Sequence, residues 1–537
     1  MADGTASELG MTALEIFARR LASPTLPSPA SGGREAGSAR GARELVDLHI
    51  IDTIGAWIAS MGSAEGLALL KYRAAMRGSA RVDGVVALDL SMRCALARAS
   101  EIDDIHLASM TTPGGIVIPA ALTLAVAAPA AITVEDLRAA ILAGYEAMTR
   151  LGRAIDGPSV LYRGIWPTYF AAPFAVAAVA GRILKLDATQ TANALAIALT
   201  LSAPGVGQHH SETTARWLAV GEAVTMGRTA ALAAQQGFTC DLDLIAGNFF
   251  PQIYGISPQA AALTHALGTE SVLAEVSFKP WCAARQTMAA TQALIEIIES
   301  GIPPQAIDSI HVFVPPPHRK MIDHGVKEGD RASHLTSVQY QMAAAALGER
   351  SPDTLGQMPV TQGRFTSPRR GEVGMGAAYA HIPGEGVTES DAGTPHPNRA
   401  QARDPTSPSG RGARPLNDSA SAKSAFVQAF MQKITVEPDE TLLASYPRRW
   451  PARIAVMAGS AHHERTVTDI PGDPARPFDR ARVRDKFKRF VAPVIGKERT
   501  DRILHACRDA LAGGGFANLL QELERIGTDR LARAKPR

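Results

Sequence analysis

The chain has 537 residues, of which 46% are apolar and only 5% aromatic, and it carries a formal charge of +3. That size can bury a large core and suggests two domains, while a near-zero charge without a long Lys/Arg run excludes a nucleic-acid stripe. The four cysteines, Cys94, Cys240, Cys282 and Cys507, are far apart with no CxxC pair, which argues against a disulfide framework and a structural zinc site and fits reduced thiols in the cytoplasm.

The opening segment MADGTASELGMTALEIF lacks a basic stretch followed by an apolar one, so no signal peptide is expected. Ser23 to Ala42 is rich in Pro, Gly, Ser and Arg and reads as a low-complexity surface insert. Helical periodicity then begins at Ala42 and runs to Ser60. The apolar stretch from Ile116 to Ile132 is broken by Pro119 and Pro129 and is too short to cross a bilayer, so no membrane partner is expected; its first part, Ile116 to Ala128, is predicted as a helix. Further helices are predicted over Thr133–Arg153, with Thr133 as N-cap, and over Tyr169–Leu184, Ala188–Ser202 and Arg216–Gln236. They are Ala-rich and apolar on most faces, so they need burial by one another.

After Ala266 the pattern changes to alternation, in Ser309–Val314, Gln432–Val436 and Ala452–Met457, as half-buried strands show. Gln362 to Ser421 reads as a second low-complexity insert, and helical periodicity returns in Ala481–Phe490 and Glu498–Leu511. The expected fold is therefore mainly α. A large all-helical domain forms from both chain ends (1–265 and 476–537), with a smaller α+β lid inserted at 266–475. Deleting Ser23–Gly41, or a central part of Gln362–Ser421, should leave the melting temperature within a few degrees. No GxGxxG follows a strand, which removes a nucleotide-binding reading.

Four phrases carry a resemblance: EIDDIHLASMTTPGGIVIPAALTLA (Glu101–Ala125), ILAGYEAMTRLGRAI (Ile141–Ile155), RWLAVGEAVTMGRTAALAAQQGFTC (Arg216–Cys240) and FKPWCAARQTMAATQAL (Phe278–Leu294). In order and spacing they resemble the MmgE/PrpD family, the group of 2-methylcitrate dehydratase and cis-aconitate decarboxylase. The resemblance implies a lyase-type enzyme, a dehydratase, decarboxylase or epimerase, working in a cleft between a helical domain and a lid. It implies a homodimer, a small di- or tricarboxylate substrate, a carbanion- or enolate-like intermediate, and no metal or organic cofactor. The alternative is a non-catalytic member of the fold that binds a small acid or a partner protein.

The chain departs from that pattern at the catalytic histidines. Thr112 stands where the family has a His before the Pro-Gly turn, Trp166 stands in place of the second His, and Arg216 replaces a cleft lysine. The resemblance leaves Asp103, Asp104 and Lys279 in recognisable positions. His106 could supply the missing imidazole, the alternative being a buried, hydrogen-bonded histidine. His209 or His210 could act as acid or base, but an adjacent pair is a poor metal clamp. Thr213, Thr214 and Arg216 begin a helix whose free N–H groups suit a carboxylate. Arg285 and the run His318-Arg319-Lys320 would add lid charge, or form an ion pair and a solvated surface respectively. Tyr340 starts a lid helix over the cleft or packs within it, and Cys282 is read as a small apolar residue rather than a nucleophile.

Overall fold

The computed structural model describes residues 10–23, 35–78, 82–202, 214–269, 271–327, 330–348 and 418–534; over these the chain is mainly α-helical with a small α+β region. The helix Gly114–Ala127 is buried along almost its whole length, from Gly114 to Ala125. A helix apolar on every side needs neighbours on every side. It packs against Val82–Ala99, Val134–Ala154 and Pro167–Ile183. Val134–Ala154 starts where Thr133 predicts, since the Thr133 side chain accepts from the Asp136 N–H and Asp136 reaches back to the Thr133 backbone.

The C-terminal helices Arg480–Ile495, Lys497–Gly513 and Phe516–Arg533 return to this same core through Phe487, Val491, Ile503, Leu520 and Ile526. Buried charges fasten them there. Lys486 lies 2.7 Å from Asp52, and Glu524 meets Arg73 and, at 3.0 Å, Arg93. The first insert ends earlier than its composition suggests, because the helix expected from Ala42 already begins at Glu35 and runs to Ser60. Ala and Arg are strong helix formers, and over residues 35–42 they outweigh two glycines and a serine. The rest of that insert from residue 24, and the second insert up to residue 417, lie outside the described residues. Residues 418–421 open the helix Asp418–Met431.

A second core surrounds a four-stranded sheet in the order Ile434–Pro438, Ser309–Val314, Ala452–Ala458, Ala461–Val467. The first pair is parallel, with Ile310 opposite Ile434, and the other pairs are antiparallel. Ile310, Val312, Val314, Ile454 and Val456 are buried at every second position and share their core with residues of the helix Arg285–Glu299. Val272, Leu273 and Val276 still belong to the first core, and the second begins at Ala283.

A short antiparallel ladder pairs Ile105–His106 with Val276–Ser277. It holds the acidic loop after Val82–Ala99 against the segment that leads into the second core. Among the described residues no single helix is long and apolar enough to cross a membrane.

Candidate active site

The acidic loop is where charge collects. Glu101 follows the end of Val82–Ala99 with φ at 62°, a left-handed conformation that a non-glycine residue keeps only when its surroundings hold it. Here both its backbone and its side chain are held. Lys279 Nζ donates to the Glu101 carbonyl at 3.2 Å and lies 3.6 Å from its carboxylate. Arg98 donates to the carboxylate at 3.0 Å, and Arg216 sits 3.8 Å from the other oxygen. The Arg216 guanidinium is placed over the rings of Trp217, at 4.2 Å, and Trp166, at 5.8 Å.

Burial alone would raise the Glu101 carboxyl, but Arg98, Lys279 and Arg216 hold it at about 2, below its ordinary 4.5. An acid depressed in this way stabilises the fold fully above its unfolded value and loses that contribution as pH falls through the folded one. Glu101→Gln is therefore expected to lower the melting temperature at pH 7 and to flatten its decline between about pH 4.5 and 2. Melting curves across that window check it; an unchanged decline would show that the three cations do not act through Glu101.

The next two carboxylates face the start of Gly114–Ala127. Asp104 accepts from His49 Nδ1 at 2.7 Å, from the Tyr145 hydroxyl at 2.5 Å and from the Gly114 N–H at 2.7 Å. Burial works against its charge, yet these donors keep its carboxyl below the ordinary range. A Cβ on Gly114 would fall 2.7 Å from Asp104, and one on Gly115 2.7 Å from Asp103, which is why the helix opens with two glycines. Asp103 accepts from Arg98 at 2.8 Å, but burial pushes its carboxyl up to about 7 against the pull of Arg98 and Lys279.

A cavity of about 80 Å³ opens beside this loop. Its lining holds four cations, Arg98, Arg216, Lys279 and Arg285, together with Glu101 and an apolar set that includes Ile105, Met110, Leu161, Met321 and Leu335. Arg285 is fully buried and donates through one nitrogen to Asp473 at 2.5 Å. Its Nε and second terminal nitrogen have no hydrogen-bond partner among the described residues. Buried donors without acceptors are costly, and a guanidinium fork suits a carboxylate. The small volume suits an acid of few heavy atoms rather than a drug-sized ligand.

Of the residues chosen from sequence, Thr112, Trp166, Arg216, Lys279 and Arg285 line this cavity. Asp103 and Asp104 are buried and do not line it. His106, the candidate replacement imidazole, does not line the cavity, and both ring nitrogens are engaged. Nδ1 is 2.8 Å from Ser109 Oγ, and Nε2 is 3.0 Å from Arg153 and 3.5 Å from Glu275. Burial also lowers its pKa.

Thr214 is exposed at the start of Ala215–Gln235, makes no side-chain cap and does not line the cavity, whereas Arg216 of the same helix does. Tyr340 is half-buried with its ring against His334, at 4.6 Å, and does not line the cavity. His209, His210 and Thr213 lie outside the described residues. Cys282 donates to the Ser100 carbonyl at 3.0 Å, and burial raises its thiol, which fits the apolar reading. His318 is buried against Tyr446 and Trp450 and lowered to about 3 by burial, so the run it opens is not wholly a solvated surface.

Sequence reasoning passed over Glu101, Arg98, His49 and Tyr145. Glu101 stands in the quoted acidic phrase, but its left-handed backbone and its distant cations Arg216 and Lys279 have no local signal. His49 sits inside a helical pattern where a polar residue reads as surface.

Residues 38–252 match the family model described as the MmgE/PrpD N-terminal domain, and residues 412–510 match that of the MmgE/PrpD C-terminal domain. Lys279 and Arg285 fall between the two matched spans. No curated protein matches the chain.

Proposed function

Since the chain belongs to the MmgE/PrpD family, we propose that it is a lyase-type enzyme acting on a small di- or tricarboxylate bound in the cavity beside Glu101. The observation that carries this reading is the buried Arg285, with two nitrogens lacking partners among the described residues, in one cavity with Arg216 and Lys279. Those three cations can hold two carboxylates and stabilise negative charge on the carbon between them.

The reactions implied by the family differ in what they ask of the site. Dehydration and epimerisation start by removing a proton and need a base. Among the described residues the one carboxylate lining the cavity is Glu101, which its cations hold at about 2, too weak a base for that step. Decarboxylation needs no base. The C–C bond breaks, CO2 leaves, the electron pair stays on a carbon next to a cation-held carboxylate, and a proton from solvent or a hydroxyl such as Thr112 completes the product. The apolar wall of Ile105, Met110, Leu161, Met321 and Leu335 would desolvate the departing carboxylate. Decarboxylation is therefore the reaction this geometry supports best.

A non-catalytic acid binder is the second reading. It is favoured by the absence of any imidazole among the described residues lining the cavity, with Thr112 and Trp166 at the two expected histidine positions.

A thermal-shift screen of carboxylic acids tests the binding step common to both. Di- and tricarboxylates are expected to stabilise the protein by about 2.7 kcal/mol at a hundredfold excess over Kd, and monocarboxylates at the same concentration by less. If no acid raises the melting temperature, the site reading is wrong. We also propose a homodimer, because Phe238 and Ile253 are 67% and 62% exposed and large apolar side chains tend to be covered. Light scattering should give twice the chain mass; the mass of one chain at micromolar concentration would remove this proposal.

A further inference from the structure

A second cavity, of about 470 Å³, is walled by Pro280 and Trp281, the residues that follow Lys279, and shares no lining residue with the first. Its volume lies within the range of pre-formed small-ligand sites, about 300 to 1,000 Å³. The helix Arg285–Glu299 contributes Thr291 and Gln292, and the helix Arg480–Ile495 contributes Arg482, Lys486 and Arg489.

Two buried polar atoms here are unsatisfied among the described residues. Gln341 is 1% exposed; its Nε2 donates to the His334 carbonyl at 2.9 Å, while its Oε1 has no donor. Trp281 Nε1 is buried and has no acceptor. A buried amide oxygen and a buried indole N–H left in this way carry the full cost of desolvation, and such groups are rare in folded proteins.

The charge on the lining is unbalanced as well. Arg476, Arg482, Lys486 and Arg489 face only two acids, Glu299 and Asp485. Lys486 is committed to Asp52 and the Ile102 carbonyl, and Arg489 donates to the Pro280 carbonyl. Arg482, and Arg476 beyond its contacts with Glu296 at 3.3 Å and the Asp469 carbonyl at 3.1 Å, are the exposed cations of the lining. Trp281, Ile295 and Phe478 supply an apolar wall.

We propose that this second cavity binds an organic anion with a planar or apolar body. Its body lies along Trp281 and Phe478, an electronegative atom accepts from Trp281 Nε1, a hydroxyl or N–H donates to Gln341 Oε1, and the anionic group meets Arg476 and Arg482. Carboxylate, phosphate and sulfonate groups share that chemistry.

Fluorescence titration of the full chain with 8-anilinonaphthalene-1-sulfonate tests the site, because this probe has a planar body, an N–H donor and an anion. Saturable binding is expected in the parent. Trp281→Phe, which keeps an aromatic ring and loses the N–H, and Arg482→Glu, at an exposed position of the lining, should each weaken it about tenfold. Lys279→Ala, in the first cavity, should bind the probe as the parent does. Parent-like affinity in either Trp281→Phe or Arg482→Glu, or loss of the probe in Lys279→Ala, overturns the proposal. These outcomes do not depend on whether the first cavity binds a carboxylate.

Discussion

Asp104→Ala is expected to cost about 3–5 kcal/mol of stability, the range found when one partner of a buried charged pair is removed. The Asp104 carboxylate is fully buried and receives three donors, from His49, Tyr145 and the first N–H of the Gly114–Ala127 helix. Alanine would leave all three without an acceptor at a point where helices of the first core meet the acidic loop. Asp104→Asn keeps one oxygen and should fall between parent and alanine variant. Urea unfolding, read as the midpoint of the transition, checks both; a parent-like midpoint for Asp104→Ala would mean that the network is satisfied in another way.

Arg216→Ala and Lys279→Ala are each expected to weaken a bound dicarboxylate by about 1.5–3 kcal/mol, the range for hydrogen bonds to charged groups. The effect should be shared between the two positions, since both cations lie within 4 Å of the same Glu101 carboxylate, at 3.8 and 3.6 Å. Residues in one charge network do not add independently, so the double variant should lose less or more than the sum of the singles. Calorimetric titration of the best acid from the screen measures this. Parent-like affinity in both single variants would place the acid elsewhere.

The elements were legible where periodicity was strong. Thr133 marked the start of its helix, and the alternation in Ser309–Val314 marked a strand, because caps and pleats act over a few residues. The start of Glu35–Ser60 was hidden by a composition that reads as disorder, and the Ile105–His106 ladder to Val276–Ser277 by its length of two residues a side. At the site, Arg216, Lys279 and Arg285 could be named from sequence because a long cation near a family phrase carries its own signal. Glu101 could not. Its role depends on a left-handed backbone and on cations of which two, Arg216 and Lys279, come from distant positions, and neither leaves a trace at residue 101 itself. His106 is the opposite case, since an imidazole two residues from Asp104 carries a chemical signal in sequence, while its partners Ser109, Arg153 and Glu275 become visible only in the structure.

The proposal of a lyase that forms a carbanion without a strong base is tested most directly by proton NMR of the best-binding acid, incubated with the full chain in deuterated water. The expected result is loss of one carboxylate and a product carrying one deuteron at the carbon that lost it, at a rate that falls in Arg216→Ala and Lys279→Ala. An acid that saturates the protein and yet stays chemically unchanged, with no deuteron gained, would contradict the enzymatic reading and leave a binding protein.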